Sequence, residues 1–135
     1  MIKELYSTIY ALLDGQINIG GVVIPVSSKS LTNAMYSIHL LSYNANPIDT
    51  KVNKISNVVL NVDCVSKNGT IDDLADIVGQ VEAIMKPSVN STLNIGEGFN
   101  VIWVNSPIHL NYKELLQTED IEHTTLRYEM EIQTL

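Results

Sequence analysis

Residues 55–87 read ISNVVLNVDCVSKNGTIDDLADIVGQVEAIMKP, and this block decides the fold. Val58, Leu60, Val62 and Cys64 alternate with Asn57, Asn61 and Asp63, the two-residue period of a half-buried strand. Val59 and Val65 make the second face partly apolar. The strand runs into Ser66-Lys67-Asn68-Gly69, a turn signal. Thr70 follows as a helix N-cap, with Asp73 three residues on. Asp72, Asp73 and Asp76 crowd the start of the helix, where the peptide dipole favours negative charge. Ile71, Leu74, Ile77, Val78, Val81, Ile84 and Met85 supply a broad apolar stripe at helical spacing. Lys86 suits the C-terminal end, and Pro87 stops the pattern.

Working outward, Ile2, Leu5, Ile9 and Leu12 predict a helix over 2–14, with Gly15 as its C-cap. In 16–34, Val22 to Val26 is apolar but contains Pro25, which suits an edge strand or an extended loop. Gly20-Gly21 reads as a turn. Residues 35–43 alternate as a strand, and Asn46-Pro47 signals a turn before a long strand over 51–65. Residues 88–98 read as a polar loop. Phe99, Val101 and Trp103 alternate until Pro107, after which Ile108, Leu110 and Tyr112 resume. Residues 113–122 are charged and read as loop or a short turn. The last strand is the cleanest, with Leu126, Tyr128, Met130 and Ile132 inside and Arg127, Glu129, Glu131 and Gln133 outside. The expected architecture is one α+β domain over 1–135: an antiparallel or mixed sheet of four to five strands, with two helices on one face.

At 135 residues and 45% apolar content the chain can bury a core. No apolar run reaches a membrane span, and the N-terminus shows no signal-peptide pattern. A single cysteine, Cys64, excludes a disulfide framework and a zinc set. Cytosolic synthesis fits. The net charge of −7 is unevenly spread. Residues 1–67 hold five Lys against four acidic residues, whereas 68–135 hold three cations against eleven. With no cationic cluster, tight nucleic-acid binding is not expected.

Candidate chemistry dissolves residue by residue. The three aspartates of the helix start lack the spaced loop of a calcium site. His39, His109 and His123 are far apart in sequence and read as surface or strand-face residues. Cys64 has no CxxC partner and reads as core. Gly96-Glu97-Gly98 lacks a phosphate-binding fingerprint. The sequons at Asn68 and Asn90 matter only in a secreted chain. Trp103 reads as core rather than a stacking platform. No catalytic residue, metal or cofactor is expected.

The layout resembles the tail-completion, or tail-terminator, proteins of long-tailed bacteriophages, the family of the lambda-type minor tail protein U. The likeness lies in an opening helix at Ile2–Asp14, the strand and turn VVLNVDCVSKNGT, the helix IDDLADIVGQVEAIM, and the closing strands FNVIWVNSPIHL and TTLRYEMEIQTL. Where that family often has an aromatic before the turn, this chain has Cys64-Val65. Residues 16–34 and 44–54 have no clear counterpart there.

The resemblance implies a non-enzymatic virion protein of the tail or neck. It would form a homo-oligomeric ring, a hexamer, that caps the tail tube and meets the head-side connector, with DNA passing unbound. A ring needs heterologous contacts, which strand edges can supply. Candidate inter-subunit edge residues are Val52, Ile55, Val58, Leu126 and Tyr128. Candidate channel-facing acids are Glu119, Asp120, Glu122, Glu129 and Glu131. The competing expectation is a small cytosolic α+β dimer that binds a ligand or regulates a partner.

Overall fold

The computed structural model describes residues 2–27, 34–49, 54–85, 88–89, 99–115 and 120–134. It opens with helix α1 (Ile2–Leu13) and the short strands β1 (Asn18–Ile19), β2 (Val22–Val23) and β3 (Val26–Ser27). The long strands β4 (Tyr36–Asp49) and β5 (Lys54–Lys67) lead into helix α2 (Ile71–Met85). Strands β6 (Ser88–Val89), β7 (Phe99–Val104), β8 (Ile108–Leu115) and β9 (Asp120–Thr134) complete the order.

The sheet runs β3-β4-β5-β9-β7-β6, with β8 also paired to β9. Its long members are all antiparallel. β3 joins β4 in parallel, so the sheet is mixed. β1 and β2 form a separate hairpin around Gly20 and Gly21, whose φ values of 58° and 85° are cheap for glycine. The α+β expectation holds, with the two helices on one face.

Strand alternation explains which face is covered. Val58, Leu60, Val62 and Cys64 of β5 and Leu126, Tyr128, Met130 and Ile132 of β9 are buried. They share one core with Ile9 and Leu13 of α1 and Ile77, Val81 and Met85 of α2. Burial pushes the Cys64 thiol up, so it stays protonated, as its core position suggests.

The strand edges are not where the sequence reading put them. β5 is paired on both sides, by β4 and β9, so Ile55 and Val58 lie on an interior strand. β9 is paired by β5 on one side and by β7 and β8 on the other, which places Leu126 and Tyr128 inside as well. Val52 lies outside the described residues. A long strand with one fully apolar face and one half-apolar face is most stable in the middle of a sheet, where both backbone edges are satisfied.

Two expected loops are strand instead. β4 continues through Asn46 and Pro47, the latter opposite Ser56. Among the described residues β4 has β5 alone as its neighbour there, so a missing N–H is tolerated. The charged stretch 113–122 contributes the end of β8 and the start of β9, with Leu115 opposite Asp120. Pro107 does interrupt the edge. Three residues, Asn105 to Pro107, stand opposite two on β9, and the Asn105 N–H still reaches the Glu129 carbonyl at 2.9 Å.

The joint between β5 and α2 is locked by side chains. The Asp73 N–H donates to Thr70 Oγ1 at 3.2 Å, as the cap reading requires. The Tyr36 hydroxyl accepts from the Thr70 N–H at 3.2 Å and donates to Asp73 Oδ2 at 2.7 Å. Asn68, at φ 56°, donates its N–H to the Asp120 carbonyl, and its Oδ1 accepts from the Asp120 N–H, both at 2.8 Å. A Cβ on Gly69 would overlap the Tyr36 ring and the Ser66 hydroxyl. Gly69→Ala is therefore expected to destabilise the chain by about 1–3 kcal/mol through overpacking. Urea denaturation measures this, and a loss within a few tenths of a kcal/mol would refute the tight joint.

Candidate functional site

Among the described residues β8 is an exposed edge strand. All eight of its residues are exposed, although four are large and apolar or aromatic: Ile108, Leu110, Tyr112 and Leu115. Among the described residues β8 pairs with β9 alone, so its second backbone edge is open. Beside it, on the helix side, α2 presents Ile71 at 69% exposure. Between α2 and β8 lie adjoining hollows of about 440 and 490 Å³, both touching Ile71, Leu74, Asn111 and Thr124. His109 Nε2 reaches Glu82 Oε1 across this groove at 2.6 Å. Exposed apolar surface beside an open strand edge suits a protein partner better than a small ligand.

On the sheet face away from the helices, the same hairpin sits on a buried polar cluster. Asp63 Oδ2 lies 2.8 Å from His123 Nδ1, and Asp63 Oδ1 accepts from the Thr125 hydroxyl at 3.1 Å. His123 Nε2 lies 3.0 Å from Glu114 Oε1 on β8. Both ring nitrogens thus face carboxylates. Tyr112 stacks on His123 with ring centroids 4.3 Å apart. Ser37 Oγ lies 3.1 Å from His39 Nε2 on β4. Ser37 is fully buried, so its hydroxyl is out of a substrate's reach. The Asp63, His123, Thr125 and Glu114 contacts tie β5, β9 and β8 together.

Sequence reading kept the three histidines apart and missed this cluster. The available signal was Asp63, a carboxylate between Val62 and Cys64, but its partners stand on other strands. Among the described residues, no group of three or more His, Cys, Asp or Glu is placed to hold a metal ion.

The candidate acids divide. Glu119 lies outside the described residues. Asp120 and Glu122 belong to the helix-facing side of β9, where Lys113 Nζ approaches them at 3.8 and 4.0 Å. Glu129 and Glu131 belong to the opposite face, with Arg127 Nη2 3.7 Å from Glu129 Oε1. The structure does not gather all these carboxylates on one surface. Trp103 and the Gly96-Glu97-Gly98 loop have side chains outside the described set.

No family model and no curated protein matches this chain. Its fold is shared by a solved chain titled "Virion of native gene transfer agent (GTA) particle". The TM-score is 0.61 at 9% identity, and the match covers 96% of this chain and 91% of that one. The likeness is one of fold.

One pH response follows from the cluster. Burial pushes the His39 imidazole below its ordinary 6.5, opposed by Asp63 and reinforced by His123 and Lys67. The unfolded chain then binds a proton more readily than the folded one. Stability is full above the ordinary value and declines as pH drops below it toward the folded-state value. His39→Gln is expected to flatten the decline in urea midpoint between about pH 7 and 5. An unchanged slope would remove His39 from the account.

Proposed function

We propose that this chain is a non-enzymatic structural protein of a phage-like virion, made in the host cytoplasm. Its specific role would be that of a tail terminator: a ring of six copies that caps the tail tube and meets the head-side connector. The observation that supports this reading most is the whole-chain fold likeness to a chain of a gene transfer agent virion. The exposed apolar edge at β8 adds to it, because a chain destined for assembly keeps such a surface open until a neighbour covers it.

In this reading the polar face of the sheet lines the channel. Glu129 and Glu131 on that face repel DNA phosphate, so DNA slides without sticking. Asp120 and Glu122 lie on the other side of β9 and serve the β8–β9 hairpin instead.

Two measurements test the proposal. In cells assembling the particle, loss of this chain is expected to give tail tubes of unregulated length and no joined heads. Tubes of normal length joined to heads would overturn the role. Within assembled particles, the double charge reversal Glu129→Lys with Glu131→Lys is expected to slow DNA transfer on the order of tenfold. Unchanged transfer would remove the acidic lining. A dimer with no affinity for tail tubes would favour a ligand-binding or regulatory domain.

A further inference from the structure

We infer that β8 of one copy pairs with β4 of the next, so that the sheet continues from copy to copy around the ring. The inference rests on the ring reading above and names the contact that closes it.

Strand order and direction provide the first argument. Across β4-β5-β9-β8 every neighbour is antiparallel, so the first and fourth strands run in opposite directions. A second copy related by rotation, without being turned over, therefore presents its β4 antiparallel to β8. Its helices stay on the same side of the sheet. This is a heterologous contact of the kind that closes into rings.

Free length provides the second. β3 pairs with β4 at Ile38 and His39. Beyond His39, no strand among the described residues pairs with the outer edge of β4 up to Asp49. That run, residues 41–49, has no second strand partner among the described residues; it is nine residues long, against eight in β8, and begins at the register irregularity between Leu40 and Tyr43. The sequence LSYNANPID carries one charge, at Asp49, so it sets no cation against Lys113. Pro47 within it limits pairing to the part nearer Leu41.

Stagger provides the third. Register through the sheet sets His109 level with Leu40, on the row that passes through Val62 and Leu126. To reach the open run, the neighbouring copy must slide along the strands by about six residues, or roughly 20 Å. Four strands span about 19 Å across the sheet. The slide therefore tilts the strands by roughly 45°, in the range that closed sheets adopt. β3 on β4 blocks the unstaggered alternative and so selects the tilt.

Cysteine cross-linking tests the contact, because Cys64 is fully buried and leaves added thiols as the reactive ones. Full-length chains would carry Asn111→Cys with Asn44→Cys, Ala45→Cys or Asn46→Cys, a set that covers neighbouring registers and both faces. Circular dichroism confirms that each variant is folded. Under oxidation, at least one pair is expected to give a ladder of covalent multimers up to the ring size. Asn111→Cys alone should give none. A covalent dimer from Asn111→Cys alone would overturn the inference in favour of a two-fold β8–β8 contact. A ring of unchanged mass with no ladder from any pair would overturn it while leaving the ring reading standing. A chain that remains monomeric at all concentrations and on tail tubes would overturn both.

Discussion

The antiparallel ladder between β5 and β9 is the constraint on which the rest of the molecule depends. It runs unbroken from Lys54 opposite Thr134 to Lys67 opposite Ile121. Because side chains alternate, this one register fixes two surfaces at once. Val58, Leu60, Val62 and Cys64 are set beside Met130, Tyr128, Leu126 and Thr124 under the helices. Asp63 is set beside Thr125 and next to His123 on the other face. A slip by one residue would expose the core and bury the carboxylates together.

The Lys67 end of that ladder is then secured by two different means. At the Lys67 end, Asn68 and Asp120 exchange two hydrogen bonds, and Tyr36 clamps the helix cap. These are polar fastenings over short distances, and they leave little freedom in how α2 leaves the sheet. Along the β8 side, Lys113 forms ion pairs with Asp120 and Glu122, and Glu114 Oε1 lies beside His123 Nε2. The exposed strand is held to its own molecule by charges while its apolar side chains stay uncovered. Surface pairs of this kind are individually weak, so the backbone ladder from Ile108 to Leu115 does most of the holding.

Local pattern made much of this legible. The Thr70 cap, the α2 stripe apart from the exposed Ile71, the interruption at Pro107 and the alternation of Leu126 to Ile132 are each written in adjacent residues and appear as read. Strand order was not legible, because which strand lies at an edge depends on pairings between residues far apart. That is why Ile55, Val58, Leu126 and Tyr128 suggested edges and proved interior. The charges of 113–122 looked like a loop for a related reason: an exposed edge hairpin and a solvated loop have the same composition. The Asp63–His123–Glu114 contacts were hidden because their members come from three different strands.

The central position of β9 has a consequence for biosynthesis. Among the described residues it comes last in chain order, yet it fills the middle of the sheet. Until residues 120–134 have emerged from the ribosome, the β4–β5 hairpin stands with one long, unpaired, half-apolar flank. A nascent chain in that state is a target for strand-mediated clumping with its siblings on the same messenger. Pairing with β9 is what covers this flank.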